Sequence, residues 1–189
     1  DSKGCIMAKR FYDLTVAGCK RSLPILNLSD SLAIAGFVML GDVELCESCA
    51  RELAKKVPAE AEIIMTAETK GIPLAAELAR QLGMPYYITA RKSVKAYMED
   101  PIWVEDESIT TMGKQRLYLM RSDIDRIAGR KVLLLDDVIS TGGSMTALGN
   151  LAEKAGAHVI GQAAVLAEGD AAKRTDIIFL EALPLFEAE

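Results

Sequence analysis

The stretch "VLLLDDVISTGGSM", Val132 to Met145, decides how the rest of the chain is read. Four apolar residues run straight into two adjacent carboxylates, Asp136 and Asp137. A loop of hydroxyls and glycines follows, Ser140, Thr141, Gly142, Gly143 and Ser144, and opens into a helical pattern. An unbroken apolar run of this kind reads as a strand buried on both faces. In open α/β sheets, ligands bind outside the carboxyl ends of the strands, and both aspartates fall there. Unpaired amides at the start of the helix, together with its dipole, favour an anion. Glycines let the backbone come close to a phosphate, and the hydroxyls add donors. The carboxylates repel a phosphate; they suit hydroxyl donors, a divalent cation or developing positive charge. A sugar phosphate with free hydroxyls that passes through a cationic state satisfies both halves of the stretch.

Outward from this segment, strand and helix patterns alternate. Apolar spacing over residues 42 to 57 predicts a helix, with Asp42 as N-cap and Pro58 beyond its end. Residues 62 to 67 read as a strand. Residues 70 to 83 read as a helix with Pro73 in its first turn and Gly83 at its close. Strands are predicted at 85 to 90, 131 to 136, 158 to 167 and 176 to 183, and a helix at 143 to 156. This is the pattern of an α/β fold, a mainly parallel sheet flanked by helices. Residues 1 to 41 show no strong periodicity and are read as a separate N-terminal segment before a core of residues 42 to 189. The polar stretch from 92 to 115, which holds the only tryptophan, Trp103, is long for a connection in a compact domain. Such a loop is usually functional or mobile, and a β-hairpin excursion is the competing reading.

Composition narrows the function classes. The chain has 189 residues, half of them apolar, a net charge of −5 and a pI of about 5.1. One domain is expected, and a general nucleic-acid binder, which would be basic, is disfavoured. No apolar run approaches the roughly 20 residues that cross a bilayer, and Asp1 to Arg10 lacks the shape of a signal peptide. The expectation is a soluble cytoplasmic protein with no membrane or nucleic-acid partner. Of four cysteines, Cys46 and Cys49 form a C-x-x-C, but no second such pair exists and the only histidine, His158, is remote. Two reduced thiols on one helical face are expected. A Walker loop is excluded, because no G-x-x-x-x-G-K-S/T occurs, and no G-x-G-x-x-G occurs either.

The segment Val132 to Met145 resembles the phosphoribosyl-pyrophosphate (PRPP) signature of the type I phosphoribosyltransferases, and the resemblance runs from about residue 60 to 167. "AETKG", 67 to 71, is similar to the family's pyrophosphate loop, which in relatives carries a non-proline cis peptide. "ARKSVK", 90 to 95, resembles the Arg-Lys segment of the adenine and xanthine branch. The loop from 94 to 116 is similar to the family's mobile catalytic hood, and "LPILNLSDSLAIAGFVMLGDVEL", 23 to 45, is similar in placement to its base-binding region, so that residues 1 to 41 are expected to serve as a base-binding hood. The resemblance implies transfer of a phosphoribosyl group to a purine nitrogen, with pyrophosphate leaving through an oxocarbenium-like transition state. Asp136 and Asp137 would serve the ribose hydroxyls and the cationic sugar. Ser140, Thr141, Gly142, Gly143 and Ser144 would hold the 5′-phosphate. Thr69, Lys70 and Gly71 would hold the pyrophosphate, with Arg91 and Lys95 neutralising more of its charge. Glu168 falls where relatives shape the base pocket. Magnesium would be bound through PRPP and not through protein side chains. A homodimer is expected on the same ground.

The resemblance leaves the base open. Adenine is favoured, with xanthine or hypoxanthine as alternatives. A non-catalytic PRPP-sensing regulator is the reading from another class. In adenine-specific relatives the hood ends in a glutamate two residues before a glycine-lysine pair. Here the pair is Gly113-Lys114 and the matching residue is Thr111, so the expected general acid/base is absent.

Overall fold

A computed structural model describes residues 10–106 and 115–189. Thr111, the Gly113-Lys114 pair and Cys5 lie outside the described residues.

The first elements form an antiparallel hairpin, β1 (Phe11–Val16) and β2 (Cys19–Asn27), joined through Ala17 and Gly18. Both turn residues have positive φ, +49° and +79°, as a tight hairpin turn that follows strand twist requires. β3 (Leu32–Ala35) pairs antiparallel with β2, and a short β11 (Phe186–Glu187) from the far end of the chain completes this sheet. Residues 1 to 41 thus hold strands where no periodicity was read. The signal was there in the alternation of inward Tyr12, Leu14 and Val16 with Asp13 and Thr15.

Helix α1 (Val43–Ala54) begins as expected: the Asp42 carboxylate accepts the Leu45 amide at 3.1 Å. Strand β4 (Ile63–Ala67), helix α2 (Ile72–Gln81) and strand β5 (Tyr87–Ala90) follow. Strand β6 (Ile102–Asp106) pairs antiparallel with β7 (Gln115–Leu119), Trp103 opposite Tyr118. The described ends of the long connection are therefore strands. Helix α3 (Arg121–Ile127), which the pattern did not predict, is short and has no capping side chain. Strand β8 (Lys131–Ile139), helix α4 (Gly143–Lys154), strand β9 (His158–Glu168) and strand β10 (Glu181–Leu183) complete the chain. Of the apolar stretch 176 to 183, only its end is a strand; Ile178 makes an isolated bridge to Ala163.

The central sheet has five parallel strands in the order β10-β9-β8-β4-β5. Its middle strand explains the apolar run. Leu133 and Leu135 face the layer formed by α1, α2 and the antiparallel sheet, while Val132 and Leu134 face the layer containing α3 and α4. All four are fully buried. A strand covered on both sides needs apolar residues at every position, not at alternate ones. The same covering places the carboxyl ends of β4, β8 and β9 side by side.

Candidate active site

Strand β8 runs past the apolar positions and carries Asp136 and Asp137 inside the strand, not just beyond it. Consecutive strand residues face opposite ways, and the two carboxylates meet different surroundings. The Asp137 amide donates to Asp136 Oδ1 at 2.8 Å. Asp136 is partly exposed as a residue, yet its carboxyl is enclosed enough that burial pushes it well above the usual aspartate range, with the Asp137 charge adding to the rise. Asp137 is buried. Its Oδ2 accepts no hydrogen bond, and the Lys70 ammonium stands 3.3 Å away.

The loop after β8 enters α4 through Gly142, whose φ of +85° suits glycine and strains any other residue. No side chain caps this helix, so its first amides are left for a ligand. Ser140, Thr141, Gly142, Gly143 and Ser144 all line a small hollow against Asp136.

Beside it, the loop after β4 carries a cis peptide between Glu68 and Thr69. Gly71 stands behind the acidic pair: a Cβ there would lie 3.5 Å from Asp136 and collide with the buried hydroxyl of Thr66. Close packing of this loop against strands β4 and β8 requires glycine at this position.

A cavity of about 600 Å³ joins these parts. Thr69, Lys70, Asp136, Asp137, Ser140, Ser144 and Glu168 all line it. Thr141, Gly142 and Gly143 line the adjoining hollow. Glu168 ends β9, and burial raises its carboxyl while Lys70 opposes the rise. Arg91 and Lys95 do not line either space. Arg91 is held by Glu68 and by the Tyr97 hydroxyl at 2.5 Å, and the Lys95 ammonium donates to Ser93 at 2.7 Å. The cation of that segment on the cavity wall is Lys92, whose amide donates to Glu68 Oε2 at 2.8 Å. Glu68, Phe37, Asp106 and Gln115 also line the cavity and were not singled out from sequence. Lys92 and Glu68 lay within the quoted motifs, so their neighbours were the signal. Phe37 and Gln115 offered none, because chain direction alone does not tell which way they face.

The C-x-x-C has no part in this. Cys46 and Cys49 are free and buried in α1, and burial pushes the Cys49 thiol up to about 12. Such a thiol is neither nucleophile nor ready metal ligand near neutral pH.

An acidic strand end and a hydroxyl-glycine loop at a helix start thus border connected spaces at the carboxyl ends of the parallel strands. Residues 41–184 match the phosphoribosyl transferase domain, and the chain belongs to the phosphoribosyltransferase family. It is 37% identical over 128 residues to the hypoxanthine/guanine phosphoribosyltransferase of Methanotorris igneus, which spans 65% of this chain and 66% of the relative. It is 36% identical over 133 residues to the protein of that name from Methanothermococcus okinawensis, covering 70% and 68%. The matched segments are thus about two thirds of those relatives' lengths. Among solved structures it is similar to adenine phosphoribosyltransferase from Thermoanaerobacter pseudethanolicus, with a TM-score of 0.63 and 25% identity over 76% of this chain and 84% of that one. The adenine phosphoribosyltransferase of Saccharomyces cerevisiae gives the same TM-score at 21% identity, covering 84% and 93%, a likeness of fold alone.

Proposed function

We propose that the protein transfers the 5-phosphoribosyl group of PRPP to a purine base, releasing pyrophosphate and forming the nucleoside monophosphate. The carrying observation is that the acidic pair and both phosphate-type loops line one connected space. Asp136 and Asp137 accept hydrogen bonds from the ribose hydroxyls, and their charge favours the sugar as it turns cationic. The loop from Ser140 to Ser144 holds the 5′-phosphate. Thr69, Lys70 and Gly71 hold the pyrophosphate. In this reading Lys92, on the cavity wall, takes the charge-neutralising role that the family resemblance implies for Arg91 and Lys95. Glu168 and the wall from residues 34 to 38 border the base, so residues 1 to 41 contribute to the base-binding side.

Magnesium fits this donor set. Asp137 Oδ2 is buried without a hydrogen bond, with the Lys70 ammonium 3.3 Å away. An ion that keeps its waters and is held through substrate phosphates suits such a site. When bound it neutralises charge on the pyrophosphate.

The sequence favours adenine as the base, but the relatives support a 6-oxopurine better. Those at 36 and 37% identity carry the name hypoxanthine/guanine phosphoribosyltransferase, while the adenine enzymes share the fold at 25% or less. We therefore place hypoxanthine or guanine ahead of adenine. A panel of adenine, hypoxanthine, guanine and xanthine, supplied with PRPP and magnesium and read as nucleotide formed, tests this. Inosinate or guanylate should dominate. Adenylate as the main product would restore the adenine reading, and no nucleotide from any base would contradict the proposed activity.

A further inference from the structure

Arg174 stands outside every role assigned so far. It follows a 3-10 turn, Gly169–Lys173, that leaves the carboxyl end of β9. Asp176 holds its guanidinium in a fork: Nε donates to Oδ1 at 2.9 Å and Nη2 to Oδ2 at 2.7 Å. The fork leaves Nη1 out. That nitrogen lies against the phosphate loop, where a Cβ built on Gly142 would come within 3.2 Å of it. Glycine at 142 therefore serves twice, by taking the left-handed conformation and by leaving room for the guanidinium. The loop itself, Ile139 to Met145, contains no lysine or arginine. Lys70, at the other loop, is paired with Asp137. Amides and hydroxyls of the loop supply hydrogen bonds but no full positive charge.

We propose that Arg174 binds the 5′-phosphate of the substrate and of the nucleotide product, its Nη1 donating to a phosphate oxygen while Asp176 fixes the fork. The inference rests on the transferase reading above. A guanidinium anchored by a carboxylate on two nitrogens is preorganised to give the third to an anion. The paired Asp176 also holds the guanidinium firmly protonated. The 5′-phosphate does not react, so the contact is equal in ground and transition states. Its loss should raise KM for PRPP and spare kcat.

The test measures binding of ribose 5-phosphate and of magnesium pyrophosphate, and PRPP kinetics, in the parent, Arg174→Ala and Arg174→Lys. Arg174→Ala should weaken ribose 5-phosphate binding and raise the PRPP KM by about tenfold, the scale of one charge-assisted hydrogen bond. Its kcat should stay within about twofold, and its pyrophosphate affinity should not change. Arg174→Lys should recover part of the loss, since an ammonium keeps the charge but not the fork. Equal ribose 5-phosphate affinity in the parent and Arg174→Ala overturns the role of Arg174 and leaves the transferase standing. Equal loss of both ligands overturns it as well, as a general collapse of the site. A parent that binds neither ligand overturns the transferase reading, and the role of Arg174 with it.

Discussion

Asp136 shows at the scale of one residue how a site opposes the fold that carries it. Its carboxyl is pushed well above the usual range, first by burial and then by Asp137. The folded chain thus binds this proton more tightly than the unfolded chain. The stability linked to it is complete below the ordinary aspartate pKa of about 3.9 and is lost as pH rises through the raised folded value. Above the ordinary aspartate range, near neutral pH included, the group therefore costs folding energy, through its enclosed charge or through the proton it must take up. Asp136→Asn keeps an oxygen for the Asp137 amide and removes the charge. Without ligand, this variant should melt above the parent near neutral pH, by about 2–4 °C for each kcal/mol relieved. The gain should shrink towards zero as pH falls to about 4. Melting curves across that range check the expectation, and a variant less stable than the parent at neutral pH contradicts it. The acidic pair and the hydroxyl-glycine loop were legible because each residue type carries its chemistry openly. Lys92 was not, because charge in a sequence does not say which cation lines a cavity and which, like Lys95, is spent on a neighbour such as Ser93.

At the scale of elements, β8 carries the fold and the site on one strand. Its first half is packed between two helical layers and its second half holds the carboxylates. Leu134 is fully buried against α4 and its neighbours. Leu134→Ala should cost about 2–5 kcal/mol, the range for buried leucines that leave a cavity, measured by denaturant unfolding with an unchanged m-value. A loss below about 0.5 kcal/mol, the ordinary range for surface positions, would mean that the strand is not the packed centre of the sheet. The parallel strands and α1, α2 and α4 could be read from periodicity and caps, because burial on both faces writes itself as continuous apolar sequence. The first hairpin was hidden by its Ala17-Gly18 turn, where alanine takes a conformation it rarely adopts. Helix α3 was hidden by its brevity, seven residues with too few turns to show a period. For α3, tertiary packing, absent from any local window, decided the structure.

At the scale of the whole molecule, the topology brings three loops to one edge of the parallel sheet. The strand β11, from the end of the chain, pairs with β3 and ties the first segment to the last. Phe37 and Val38, which follow β3, line the same cavity as Asp136 and Glu168. The parallel core could be read from local sequence, but this convergence could not, since Phe37 and Asp136 lie 99 positions apart in the chain. The proposed transfer of a phosphoribosyl group puts the acidic pair at the reacting sugar. The most direct measurement is pyrophosphate release from saturating PRPP and magnesium, with the best purine of the panel, in the parent and in the double variant Asp136→Asn, Asp137→Asn. Loss of one charge-stabilising group costs about 10²–10³-fold. The double variant should stay folded, as seen by circular dichroism, and lose at least that much turnover. Turnover in the double variant within about tenfold of the parent, well short of that loss, would contradict it.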